Sequence, residues 1–174
     1  TLSSSSAASD VYKRQVKILL IIILPVAIGT TALAPGLIRL FYGVRFANSV
    51  VALRILIWAC VVIFVNYVLT QLLIAMGKQK FNARFTLVCA GFNIALNLIL
   101  IPPLSYIGAS IVTLVTEALL FILCFYVVSS DLGTIPLLGI AAKPLLASIF
   151  MGSVLMLIKE SSLLITVPVS IVIY

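Results

Sequence analysis

Long apolar runs, separated by short polar or turn-forming segments, dominate the pattern along the chain. A helix needs roughly 20 apolar residues to cross a hydrocarbon core of about 30 Å. Four or five runs meet that length, so the pattern predicts an all-α bundle with about five complete transmembrane helices. The predicted helices cover residues 16–40, 49–76, 81–101, 106–128 and 140–158.

The two ends of the chain differ from this pattern. Residues 1–15 (TLSSSSAASDVYKRQ) are rich in serine and alanine and have no apolar period, so we expect a non-native or disordered leader, such as an adapter scar. A sixth apolar run, residues 163–174, is too short to cross a bilayer at about 1.5 Å per residue. We therefore expect a fragment that lacks native sequence at both ends, with a main bundle over 16–128 and peripheral helices over 129–174.

Composition supports a membrane protein and argues against most enzymes. The chain is 64% hydrophobic and 9% charged, whereas soluble domains are about a quarter charged. Histidine is absent and only four residues are acidic, which excludes zincin motifs and Ser-His-Asp triads and makes paired carboxylates improbable. The isolated cysteines form no metal-ligand spacing, so we predict no catalytic residues, no metal and no cofactor.

The net charge of +7 is carried by basic residues in short loops and at helix ends. This distribution is typical of the positive-inside rule rather than of a nucleic-acid surface, so we predict no nucleic-acid partner. The dense loop GKQKFNAR (77–84) favours a cytoplasmic location for the N-terminal side. We assign topology and contact with lipid headgroups to Arg39, Lys78, Lys80 and Arg84.

A few polar side chains lie inside the apolar runs, where they are costly unless they face the bundle interior. Asn93 and Asn97 are four residues apart and share one face of a helix. Glu117 is the sharpest candidate, either as an ion-coupling site or as a hydrogen-bonded group between helices. Packing between helices is an alternative for the asparagines, and snorkelling to headgroups is one for Arg54. The candidates for a substrate cleft are Arg54, Asn66, Gln71, Asn93, Asn97 and Glu117.

Three motifs in order resemble the C-terminal half of the polysaccharide-biosynthesis membrane proteins, the oligosaccharide-lipid flippases. The first is LAPGLIRLFYG (33–43), the second is AMGK (75–78), and the third is NIALNLILIPPLSYIGAS (93–110). These flippases belong to the multidrug/oligosaccharidyl-lipid/polysaccharide exporter superfamily. One departure is the extra residue in PPLSY (102–106), which lengthens the turn.

The resemblance implies the second lobe of a two-lobe fold with 12 to 14 helices, of which this chain would supply helices 9 to 14. It also implies a multi-pass protein of the bacterial inner membrane that flips lipid-linked oligosaccharide by alternating access. The implied partners are membrane lipids, the lipid-linked substrate and the missing N-terminal lobe of the same chain. Three alternatives stay open: a drug or cation antiporter of the same superfamily, a membrane-embedded glycosyl- or acyltransferase, and a scaffold subunit.

Overall fold

A computed structural model describes the backbone of residues 2–132 and 137–157 and the side chains of residues 12–131 and 139–155. Within these ranges every regular element is helical, which confirms the all-α class. The helices are α1 (Leu2–Phe41), α2 (Ser49–Ala75), α3 (Gln79–Leu132) and α4 (Leu137–Leu157), with a 3₁₀ turn at Val44–Phe46 between the first two.

Helix α3 doubles back on itself at Ser105. Two prolines precede this residue, and its backbone leaves the helical region with φ 52° and ψ −132°. Asn93 donates a 3.1 Å hydrogen bond to Thr116, although 23 residues of straight helix would separate them by roughly 35 Å. The first arm of α3 (79–104) therefore runs antiparallel to its second arm (106–132).

The expectation of about five complete transmembrane helices is not supported. In the described part of the chain, three helices are long and apolar enough to cross a membrane: Tyr12–Phe41, Ser49–Ala75 and Gln79–Asp131. The count differs because only Ser105 leaves helical geometry in the turn at 102–106, so the third and fourth predicted segments are the two antiparallel arms of one element, α3. The apolar stretch of α4, Gly139–Leu155, is shorter. The truncated sixth run lies outside the described residues.

The predicted leader is part of α1, which begins at Leu2. Tyr12 also packs against the hydrophobic core, so the described leader residues are helical rather than disordered. Their non-native origin stays a prediction. The division of the chain into 16–128 and 129–174 also stays a prediction. Helix α3 crosses the predicted boundary and ends at Leu132.

Helix α2 lies at the centre of the bundle because it contributes to both buried clusters. One cluster joins α2 to the second arm of α3, and the other joins α1 to α2. The first cluster consists of Leu69, Leu72, Leu73, Cys124 and Val128. The second consists of Val16, Leu20, Ile23, Leu24 and Val68. Many large apolar side chains point outward, such as Leu87 at 74% exposure, as expected of helices whose outer faces meet lipid.

Two glycines allow the closest helix contacts. A Cβ at Gly152 would lie 2.5 Å from a methyl of Ile28, so α4 packs tightly on α1 at this point. A Cβ at Gly108 would lie 2.4 Å from the carbonyl oxygen of Leu100, which belongs to the opposite arm of α3. The hairpin of α3 therefore depends on the absence of a side chain at Gly108.

We expect Gly108→Ala to destabilise the protein by about 1–3 kcal/mol, because the clash is with main-chain atoms that cannot rotate away. The measurement is the free energy of unfolding in mixed micelles with rising dodecyl sulfate, followed by circular dichroism. Gly91→Ala is the matched control, since Gly91 lies in the first arm of α3 and a methyl group there would meet no described atom within 4 Å. Equal loss of stability in both variants would contradict the tight turn.

Candidate polar site between the helices

A carboxylate and an amide meet inside the bundle where α2 faces the second arm of α3. The Asn66 side chain is 4% exposed and donates from Nδ2 to two oxygens of Glu117. The distances are 2.9 Å to the main-chain oxygen and 2.8 Å to Oε2. One amide group thereby fixes both the backbone and the side chain of Glu117 against α2.

The neighbouring residue continues these contacts toward the first arm of α3. Thr116 accepts a 3.1 Å hydrogen bond from Nδ2 of Asn93, and Asn93 Oδ1 accepts a 2.8 Å bond from Nδ2 of Asn97. Successive residues of a helix point about 100° apart, so Glu117 can face α2 while Thr116 faces the first arm. We name this connected set the polar line: Asn66, Glu117, Thr116, Asn93 and Asn97.

The polar line has two unmatched acceptors. Oδ1 of Asn66 and Oδ1 of Asn97 are buried and have no hydrogen-bond partner among the described residues. An unpaired buried acceptor costs about 1–3 kcal/mol, whereas a hydrogen bond between membrane helices contributes roughly 0.6 kcal/mol on average. Packing between helices thus accounts for the paired groups but not for these two oxygens.

Asn97 lies where the polar line reaches the outside of the described bundle. A groove of about 330 Å³ borders it on the first arm of α3, and its other walls are apolar. They come from Ile94, Leu98, Ile101 and Pro102. Asn97 is therefore the member of the line that borders this groove, with its Oδ1 buried and its Nδ2 bonded to Asn93.

Arg54 does not join the polar line but contacts α1 instead. Its Nε donates a 3.1 Å hydrogen bond to the main-chain oxygen of Thr31. Thr31 lies four residues before Pro35, and proline has no N–H to donate to that carbonyl. Arg54 thus supplies a donor where the proline of α1 removes one, and its guanidinium group is otherwise exposed.

The remaining candidates lie apart from the line. Gln71 is exposed on α2 and makes no side-chain hydrogen bond to any residue that the structure describes. Arg39 is exposed and borders a groove of about 370 Å³ next to the turn at Gly43. The structure therefore places Arg54 and Gln71 apart from the other four candidates for a substrate cleft, and Arg39 near a helix end.

The basic loop carries a contact that the sequence did not reveal. Lys78 forms a 2.7 Å ion pair with Asp131 and lies 5.8 Å from the ring centroid of Phe81. The ion pair ties the loop between α2 and α3 to the far end of α3. Lys80 and Arg84 are exposed, as expected of residues that meet headgroups or water.

Most of the described cations lie at one end of the bundle. The buried cluster around Leu69 is contacted by Tyr12 of α1, Met76 after α2, Phe85 of the first arm of α3 and Ile140 of α4. The part of α1 near Tyr12, the C-terminal end of α2 and the N-terminal ends of α3 and α4 therefore lie at the same end of the bundle. The basic residues nearest this end are Lys13, Arg14, Lys17, Lys78, Lys80, Arg84 and Lys143, whereas Arg39, Arg45 and Arg54 lie toward the other. This asymmetry agrees in sense with the predicted orientation.

Comparison with known proteins supports the membrane assignment at a general level. No family model matches the chain, and no solved structure matches it. An uncharacterized membrane protein of Methanocaldococcus jannaschii is 27% identical over 94 residues, which cover 54% of this chain and 18% of that protein. The match thus spans under a fifth of the relative. Together with the three long apolar helices, it indicates that the chain is a helical membrane protein.

The described residues offer little for metal chemistry. No group of three or more histidine, cysteine, aspartate or glutamate side chains lies close enough to hold a metal ion in these ranges. Cys60, Cys89 and Cys124 are free thiols on separate helical segments. The chemistry that the polar line can perform is hydrogen bonding, with one carboxylate available for charge.

We expect Asn66→Ala to destabilise the bundle by about 1–2 kcal/mol, because Glu117 loses two hydrogen bonds across the helix contact. A double-mutant cycle with Glu117→Ala, measured by unfolding in mixed micelles, isolates the coupling between the two side chains. Gln71→Ala is the control and should be nearly neutral. Additive losses in the cycle would show that the two side chains do not interact.

We also expect the importance of Arg54 to depend on Pro35. Arg54→Leu should cost about 1 kcal/mol in the parent chain, since it removes the donor to Thr31. In a Pro35→Ala background the restored N–H can bond the Thr31 carbonyl, so the same substitution should cost little. The readout is the free energy of unfolding of all four chains. An equal cost in both backgrounds would refute the link to the proline.

Proposed function

We propose that the chain is part of a transporter that moves a lipid-linked oligosaccharide across the bacterial inner membrane. The observation that carries the proposal is the polar line, which crosses an otherwise apolar bundle and ends at Asn97 beside an open groove. Amide groups can bond sugar hydroxyls, and the Oδ1 of Asn97, buried and unpaired in the described conformation, becomes an acceptor for such a donor when the helices move apart. The order of the three sequence motifs also supports this class.

The polar line suits alternating access better than a static scaffold. It joins α2 to both arms of α3 through a few hydrogen bonds, which are modest in energy and can exchange partners when helices move. In the proposed mechanism, a second lobe of the full-length protein covers the groove at Asn97. The substrate headgroup then passes between the two lobes while its lipid tail stays in the bilayer.

The proposed orientation places the loop of Lys78 in the cytoplasm. The larger number of cations at that end supports it through the positive-inside rule. Three helices that are long and apolar enough to cross a membrane support the proposal of multi-pass insertion.

A drug or cation antiporter is the second candidate, and Glu117 is the observation that favours it. Its carboxylate lies inside the bundle, and only Oε2 is hydrogen-bonded by Asn66 in the described structure. A membrane carboxylate held in this way could carry a proton or bind a cationic substrate. The two candidates differ in substrate and can be separated by one reconstituted assay.

We expect the protein from the complete reading frame, reconstituted in liposomes, to flip a fluorescent polyprenyl-diphosphate sugar between leaflets. Dithionite added outside destroys accessible fluorophores and so measures the flipped fraction. Asn97→Ala should lower the rate by roughly tenfold, the effect of about 1.4 kcal/mol at the barrier, because the headgroup loses a polar contact.

Asn48→Ala is the control, because Asn48 is exposed in the loop before α2 and makes no side-chain capping bond. It should leave flipping unchanged. Cation-driven efflux of a drug with no lipid flipping would favour the antiporter and overturn the flippase proposal. If Asn97→Ala leaves the flipping rate unchanged, the polar line is not part of the transport path.

A further inference from the structure

An apolar groove between α1, α2 and α4 has the shape of a binding site for an extended hydrocarbon chain. Its volume is about 420 Å³, and its walls are almost entirely carbon. Ile28 and Ala32 contribute from α1, Trp58 from α2, and Leu145 and Ile149 from α4. Trp58 is 37% exposed, so the indole faces the open side of the groove.

Arg54 lies at one end of this groove. It precedes Trp58 by four residues and therefore shares its helix face. Its hydrogen-bond acceptor, Thr31, is itself a residue of the groove wall. The guanidinium group is thus fixed through Nε at the groove end, which leaves its two terminal nitrogens for an outside partner.

No acidic side chain neutralises Arg54 among residues 12–131 and 139–155. Glu117 is bonded to Asn66, and Asp131 is paired with Lys78 at the opposite end of the bundle. An exposed cation without a protein anion, at the end of an apolar groove, is complementary to an anionic headgroup with an acyl tail. Arginine binds phosphate oxygens in a bidentate manner through its planar nitrogens.

The depth of the site fits a bilayer lipid. Arg54 is five residues from the start of α2 at Ser49, which corresponds to roughly 8 Å along the helix axis. Arginine at such a position reaches the headgroup region, and tryptophan is favoured just below it. The groove continues from there into the hydrocarbon layer, where an acyl chain lies.

We propose that this groove binds one anionic phospholipid of the surrounding bilayer. Its phosphate contacts the terminal nitrogens of Arg54, and one acyl chain lies along Trp58 between α1 and α4. The site is separate from the polar line and does not rest on the proposed transport function. A free phosphate ion would satisfy Arg54 but would leave the apolar groove empty, so the lipid is the ligand that uses both features.

Trp58 provides a direct probe because it is the single tryptophan of the chain. The chain is reconstituted in phosphatidylcholine vesicles that contain either brominated phosphatidylglycerol or brominated phosphatidylcholine, and quenching of Trp58 is measured. We expect the anionic lipid to bind roughly fivefold more tightly, the preference expected from one cation near an anionic headgroup. Equal quenching by the two lipids would overturn the proposal.

Two pairs of variants test the headgroup contact and the apolar groove separately. Arg54→Gln should remove the preference for phosphatidylglycerol, whereas Arg45→Gln, an exposed cation of the neighbouring turn, should keep it. Ser153→Phe places a ring in the groove wall and should lower quenching by both lipids. Ala147→Phe, exposed on the same helix but outside the groove, is its control.

The remaining outcomes are also decisive. If Arg54→Gln does not fold, as judged by circular dichroism, the selectivity of the unaltered chain and the effect of Ser153→Phe decide the matter. Displacement of the brominated anionic lipid by millimolar inorganic phosphate would show an anion site rather than a lipid site. A Trp58 shielded from both lipids would show that protein, either another part of this chain or a second copy, fills the groove.

Discussion

The hydrogen bonds between Asn66 and Glu117 are the contact on which the arrangement of the bundle depends. In a hydrocarbon layer no water competes for polar groups, so each one must find a partner within the protein. The Nδ2 group of Asn66 meets this requirement by joining α2 to the second arm of α3 at 2.8 and 2.9 Å, whereas its Oδ1 has no partner among the described residues. Because α2 also packs on α1, the position of this amide sets the register of the central helix against its neighbours.

The same requirement explains the two irregular places in the helices. Pro35 leaves the carbonyl of Thr31 without its usual donor, and Arg54 supplies one from α2. Pro102 and Pro103 precede the reversal at Ser105, where Gly108 lets the two arms of α3 approach closely. The carbonyl that Pro35 leaves without a donor is thus compensated by a specific neighbour rather than left to the lipid.

The helical class and the inward position of several polar residues could be predicted from the sequence, because both follow from apolar run length and from the cost of polar groups in lipid. The spacing of Asn93 and Asn97 predicted a shared face, and the structure bonds the two directly. The number of helices could not be predicted, because the sequence does not show that only Ser105 leaves helical geometry where the two arms of α3 reverse. The partners of Arg54 and Lys78 could not be predicted either. Thr31 and Asp131 are distant from them along the chain and contact them only through tertiary packing.

The central claim is that the polar line borders a hydrophilic path at Asn97 instead of only joining helices. Substituted-cysteine labelling tests it most directly, with all native cysteines replaced, Cys60, Cys89 and Cys124 among them, and the protein from the complete reading frame in membranes. The account predicts that Asn97→Cys reacts with a hydrophilic, membrane-impermeant thiol reagent, whereas Ile99→Cys does not, because Ile99 is 65% exposed and lies outside the groove at Asn97. It also predicts that a lipid-linked oligosaccharide slows this labelling. An Asn97→Cys thiol as unreactive as that of Ile99→Cys would contradict the account.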